Sequence, residues 1–263
     1  MNNTPEKPTL KAIRQTILAG KSGMEITIGE SLADDEIHTL EELVICAENG
    51  DTYAQTELGI LFRDGISIEY DYSRALTFFN LAAYKGCPEA QFYLGTMHFK
   101  GEGIEKDGDR GQYWMHRSAE AGFLLAQSDL ALRYCTGDGL TQDSVQGWAW
   151  AQKAVAQGDD EVYYNIGFDF FYSASHRYFS HPTEFSNDEF TEAARWLRLA
   201  ARQNHPIALM LLGMQYEYGI GVEQSYIAAW NLYQRSTENG NDCTEPIKRI
   251  DLRLQSAGAK DGL

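Results

Sequence analysis

Gly20-Lys21-Ser22 ends like a phosphate-binding loop, in which backbone amides and a lysine cradle phosphate oxygens. The complete motif needs glycine at position 15, where this chain has Gln15, and a strand in front of it. Gly101-x-Gly103, Gly137-x-Gly139 and Gly219-x-Gly221 begin like a dinucleotide fingerprint. Each lacks the third glycine and follows a helical stretch, so each reads as a turn. His176 and His181 stand as H-x4-H without a third ligand, which does not make a metal site. Cys46, Cys87, Cys135 and Cys243 form no C-x-x-C pair and read as buried thiols. No Gly-x-Ser-x-Gly and no His-Glu-x-x-His occurs, and spacing alone places no pair of carboxylates for acid–base work. The expectation is a chain with no catalytic residue, no cofactor and no metal.

The glycine pairs have a different origin. Glycine closes an apolar helix at Gly50, Gly86, Gly122 and Gly158, with 36 residues between each. The series resumes at Asn204 and Gly240, again 36 apart, after one interval of 46. A second series keeps step with it: Leu58-Gly59, Leu94-Gly95, Leu130-Ala131, Ile166-Gly167 and Leu212-Gly213. Two series with one period indicate one supersecondary unit copied five times, and such arrays mostly bind rather than catalyse.

One unit reads as a helix pair. Ala90, Leu94, Gly95 and His98 share one face of a first helix from Ala90 to about Lys100. Gly101-Glu-Gly103-Ile104 turns the chain, Asp107 caps a second helix, Trp114, Ser118 and Ala119 line it, and Gly122 ends it. Asp71, Asp143 and Ser225 fill the same capping slot, and Phe78, Trp150 and Trp196 the same aromatic slot. Over about residues 40–240 this pattern resembles the Sel-one-like repeat family, a relative of the tetratricopeptide repeat. Its motif runs roughly A-x3-L-G-x2-Y-x2-G-x-G-V-x2-D-x2-K-A-x2-W-x3-A-A-x2-G. The resemblance implies an all-α fold, a right-handed α/α superhelical solenoid of about five helix pairs with terminal capping helices, serving as an interaction scaffold. Ser67 departs from the motif at a turn glycine, Gly111 and Gly147 depart at a helix alanine, and the fourth unit loses its glycine turn.

The ends differ from the repeats. Residues 1–35 read as an N-terminal extension, with a short helix near Leu10–Leu18 and a mobile stretch at Gly20–Ser31. The solenoid spans 36–240, led by a lone second helix over 36–49. Residues 241–263 hold a capping helix over 245–256, with Ile247, Ile250 and Leu254 on one face, and a tail. A net charge of −16 argues against nucleic acid, whose phosphates require Lys and Arg. The N-terminus shows no apolar signal region and no run of 18 apolar residues occurs, so no membrane span is expected and the cytoplasm is the default location.

In such arrays the first helices line the concave side, and the face that packing leaves over lies at spacing 3, 4, 3. It carries Tyr53, Thr56, Ile60 and Arg63; Glu89, Phe92, Thr96 and Phe99; Leu125, Ser128, Leu132 and Cys135; Glu161, Tyr164, Phe168 and Phe171; Ile207, Met210, Met214 and Glu217. This face is apolar and aromatic with acidic edges that include Asp169. Either it forms a groove for a peptide or helix of a partner protein, or it is core. The 46-residue interval puts an insertion near 173–187, read as a loop, whose Tyr178 and Phe179 are further partner-binding candidates. The leading reading is a non-catalytic adaptor for a protein partner. The alternative is an acidic immunity-type inhibitor of a basic toxin, since carboxylates can mimic phosphates.

Overall fold

The computed structural model describes residues 34–65, 70–180 and 187–256. The stretch near Leu10–Leu18, the stretch Gly20–Ser31 and the turn at Ser67 lie outside them. Twelve helices and no strand are found among the described residues. A lone helix α1 (Asp34–Glu48) is followed by five pairs: α2 (Thr52–Asp64) with α3 (Tyr72–Tyr84), α4 (Pro88–Lys100) with α5 (Gly108–Glu120), α6 (Leu124–Thr136) with α7 (Ser144–Ala156), α8 (Val162–Ser180) with α9 (Asp188–Arg202), and α10 (Pro206–Tyr218) with α11 (Tyr226–Glu238). Helix α12 (Thr244–Ser256) closes the series. This is an all-α repeat fold. The chain forms two compact units, residues 1–126 and 127–263.

The helix boundaries follow from single residues. Side chains of Asp51, Asp71 and Asp107 accept the backbone N–H of Ala54, Arg74 and Arg110 at 2.8, 3.0 and 2.9 Å. Asp143 and Ser225 cap α7 and α11 in the same way. At the far end of α3, Gly86 and Cys87 donate to the carbonyls of Ala83 and Ala82, which closes the helix through a left-handed residue. That residue is glycine with φ between 89° and 95° at Gly50, Gly86, Gly122, Gly158 and Gly240. In the fourth pair the slot is held by Asn204, at φ 61°. Asparagine is the side chain that best tolerates this region, so the series continues without its glycine.

The second series serves close packing. A Cβ on Gly59 would stand 2.5 Å from the Phe79 ring, and one on Gly95 would stand 3.1 Å from the Gly111 carbonyl. Glycine there lets the two helices of a pair approach until Phe62, Phe79, Leu94 and Met97 are sealed in the first unit. In the second unit Leu197, Leu209 and Leu212 form the corresponding core, and Tyr233, Cys243, Ile250 and Leu254 attach α12. A further 36-residue series was not anticipated. Buried Gln55 and Gln91 donate to the carbonyls of Ala47 and Ala83 at 2.9 and 3.0 Å, tying each first helix to the preceding second helix. Gln127, one period on, accepts from Gln157.

Two expectations need correction. Residues 173–180 of the insertion are helical and not loop, while 181–186 lie outside the described residues. Helix α8 has 19 residues where α2, α4, α6 and α10 have 13, and α9 has 15. The link from 181 to 187 is as long as the links 101–107 and 219–225. The extra residues extend helices and delay the start of α8. The cysteines are also not uniformly buried: Cys46 is exposed and Cys87 half-buried, while Cys135 and Cys243 are buried, and all four are free.

Candidate protein-interaction site

The face expected at spacing 3, 4, 3 turns inward at its last position. Phe99 is only 4% exposed. It packs where a Cβ on Gly111 would approach its ring to 2.8 Å, so it belongs to the core and not to a binding surface. Cys135 is buried in the same way against Gly147, and burial pushes its thiol up to about 12, which leaves it unreactive. The two glycines that replace helix alanines are thus the partners of larger side chains at this position. Phe171 is half-buried edge-on against Phe190, at 5.4 Å. Thr56 is fully buried as well. Glu217, read as a groove edge, is 0% exposed. Its carboxylate accepts from Tyr233 Oη at 2.9 Å and from Arg249 Nε and Nη2 at 2.6 and 2.8 Å, fastening α12.

The remaining candidates lie nearer the surface. Phe92 is half-buried in the first unit, beside Tyr93 and Phe123 at 5.3 and 5.4 Å. Met210 and Met214 are half-buried between the core of the second unit and the α12 patch. Leu132 is half-buried and Tyr178 exposed. The side chain of Phe179 lies outside the described residues.

Exposed rings stand singly at Tyr53, Tyr70, Tyr84, Tyr113 and Tyr218, and α8 carries three, Phe168, Tyr172 and Tyr178. Tyr164, Phe168 and Tyr172 follow one another at four-residue steps, with ring centroids 5.6 and 6.1 Å apart. Phe168 is 41% and Tyr172 62% exposed. Tyr172 was missed because the last outward position is one residue beyond Phe171; counting steps of four from Tyr164 would have found it. Tyr164 is fixed from the side by His205, whose ring stacks on it at 4.2 Å. His205 Nδ1 accepts the Ala208 N–H as the cap of α10, so Nε2 carries the proton that faces Glu161 Oε2 at 3.0 Å. Burial and the nearby Glu161 hold the Tyr164 phenol above its usual range.

Beside this ladder is a cavity of about 320 Å³. Leu132, Thr136, Gly137 and Asp138 form one wall, and Asp169, Phe170, Ser173 and Arg177 of α8 form another, with Glu189 of α9. Arg177 pairs with Glu189 at 2.5 Å, and Arg133 with Asp129 and Asp138 at 2.6 and 3.1 Å. Burial, reinforced by the charge of Asp138, raises the pKa of Asp169. Among the described residues no group of three or more His, Cys, Asp or Glu could hold a metal ion, and no helix is long and apolar enough to cross a membrane.

The Sel1 repeat pattern matches residues 52–87, 88–123, 124–159, 187–205 and 206–241. The chain belongs to the Sel1 repeat family. Repeats of this family generally mediate protein–protein interaction. The match passes over residues 160–186, the stretch that contains the whole of α8. Among solved structures, the chain is 28% identical to c5321, a protective antigen of uropathogenic Escherichia coli strains displaying an SLR fold, with a TM-score of 0.58. That likeness covers 89% of this chain and 47% of the antigen. A Sel1 repeat protein from Oxalobacter formigenes is 25% identical with a TM-score of 0.51, over 83% of this chain and 59% of the other. The chain thus spans about half the length of the first relative and three-fifths of the second. No curated protein matches the chain.

Proposed function

We propose that this Sel1 repeat chain is a non-catalytic scaffold that binds a segment of another protein along α8. The observation that carries the reading is the exposure of Phe168 and Tyr172 on a helix lengthened beyond its four counterparts and outside the repeat pattern. Elsewhere the position of Phe168 is half-buried, at Ile60, Thr96, Leu132 and Met214, and the position of Tyr172 holds an exposed ring again at Tyr218. On α8 both positions are exposed rings. An aromatic ring carries roughly 200 Å² of surface, so a partner covering the exposed parts of both rings removes about 200 Å² from water. At about 25 cal/mol per Å² this gives a gross gain of about 5 kcal/mol, from which ordering costs must be subtracted.

The test starts with a random peptide library displayed on phage and selected on the intact chain. Selected peptides should bind the Phe168→Ala/Tyr172→Ala variant about thirtyfold or more weaker, as expected when two hot spots are lost. The melting temperature should hardly change, because neither ring is core. Peptides that bind the variant as well as the parent would refute the reading.

A further inference from the structure

We propose that the cavity between α6, α8 and α9 receives a lysine or arginine side chain of the bound segment, next to the aromatic ladder. The inference rests on the scaffold reading for the source of that side chain, but the cavity can be probed without it.

The shape fits first. A cavity of about 320 Å³ is about ten times the 30 Å³ share of one water molecule in the liquid, enough for a long side chain. Its lining is divided. Leu132 and Phe170 offer an apolar wall along which the methylenes of Lys or Arg can lie, and carboxylates stand where the charged head would arrive.

The charges decide the sign. Among the described residues the lining carries the carboxylates of Asp138, Asp169 and Glu189 against one guanidinium, that of Arg177, an excess of two negative charges. Arg177 is neutralised by Glu189, and Arg133 is held by Asp129 and Asp138. Asp169 stands near Asp138, a carboxylate of like charge that disfavours its ionised form. An anion would add to this repulsion. A cation would relieve it and gain a charge-assisted hydrogen bond. Because the cavity opens on α8, the helix of Phe168 and Tyr172, one extended segment could place an apolar residue on the ladder and a basic residue in the cavity.

The experiment is an NMR titration of the ¹⁵N-labelled intact chain with Nα-acetyl-arginine amide, Nα-acetyl-lysine amide and Nα-acetyl-citrulline amide. The two cations should shift backbone amides of Leu132, Asp169 and Ser173 with millimolar affinity, and the arms show which head group is preferred. Neutral citrulline amide should shift them at least tenfold less at equal concentration. Asp169→Asn should abolish the response to the cations, and so should Ser173→Leu, which fills the cavity without touching a carboxylate. Equal shifts from citrulline amide, no shift at these residues, or an unaltered response in both variants would overturn the proposal. The two readings can fail separately. Phage peptides that need Phe168 and Tyr172 but carry no basic residue, together with silent titrations, would sink the cavity and leave the scaffold. Cation shifts at the cavity without any ladder-dependent peptide would do the reverse.

Discussion

Replacing Arg249 by methionine tests whether one buried ion pair holds the last helix in place. Glu217 is fully buried, and its two oxygens take three hydrogen bonds, one from Tyr233 and two from Arg249, with Arg253 at 3.4 Å as a weaker partner. Burial alone would push the Glu217 carboxyl up, but the Arg249 and Tyr233 hydrogen bonds outweigh it and hold the group below its usual range. Arg249→Met removes two of the three bonds and strands a charge. Breaking a buried pair costs about 3–5 kcal/mol, but Arg249 is itself 41% exposed and Arg253 remains nearby, so about 2–3 kcal/mol is expected here. The end of a repeat array opens independently of its middle, so the loss should appear locally. Hydrogen exchange read by mass spectrometry on peptides of α11 and α12 should accelerate about 30- to 150-fold, with α2 to α5 unchanged.

The pH dependence has a definite sign. A carboxylate with a depressed folded pKa stabilises above its unfolded value, about 4.3, and that stabilisation is lost as pH falls through the folded value. In Arg249→Met only burial and Tyr233 remain to set the Glu217 pKa, so it rises, and protonation relieves the stranded charge. The gap between parent and variant should therefore be widest at about pH 7 and shrink towards about pH 4. A Glu217→Leu/Arg249→Met double variant should be less unstable than the two single losses added together. A gap that stays constant with pH, or strictly additive losses, would refute the ion pair as the cause and leave packing by Ile250 and Leu254 as the explanation.

Three further outcomes can be checked by urea unfolding or binding kinetics. Gly122→Ala meets nothing within 4 Å, so its cost should be that of backbone conformation alone, about 1 kcal/mol, and Asn204→Gly should be close to neutral, relief at φ 61° being offset by loss of the 2.8 Å hydrogen bond from Arg235. Gly111→Ala should destabilise by about 1–3 kcal/mol through contact with Phe99, and Phe99→Leu in the same chain should recover part of that; no recovery would refute the pairing of large and small residues. With a basic phage-selected peptide, raising salt from about 50 to 500 mM should slow association at least tenfold while dissociation changes less. A salt-independent rate would mean that the net charge of −16 serves solubility alone.

The features that were legible in the sequence are those that recur in phase. Every helix pair needs a left-handed residue after its second helix and a small residue where the pair crosses, and all but the fourth cap the second helix with an Asp or Ser side chain, so these needs recur every 36 positions. Asn204 shows that the requirement is conformational: the glycine is gone and the positive φ remains. Features that depend on distant or unique partners left no such mark. Glu217 looked like a groove edge because its partner Arg249 is 32 residues away, in the cap, where the period has ended. Phe99 looked outward until Gly111 was seen to make room for it.

The same contrast bears on the site. Repetition reports what packing demands of every copy, so a residue that obeys the period is accounted for by the fold. A partner makes its demand once. The extension of α8 breaks the period, and read as sequence it resembled a loop because the interval of 46 says only that residues are added, not where they go. Once they are seen to lengthen a helix by six residues, about 9 Å at 1.5 Å per residue, Ser173 and Arg177 of the cavity acquire a place that the 13-residue helices do not offer. The exposed rings, the cavity beside them and the gap in the repeat match all fall on this one helix. Shortening α8 to the common length should therefore separate the two roles of the chain. Deleting residues 168–173, which include Phe168 and Tyr172, brings the helix to 13 residues and keeps the core positions Val162, Ile166 and Gly167. The array should stay folded, with a far-UV spectrum close to that of the parent, while binding of ladder-dependent peptides is lost. If the shortened chain binds those peptides unchanged, the ladder is not the contact and the recognition surface lies on the regular repeats.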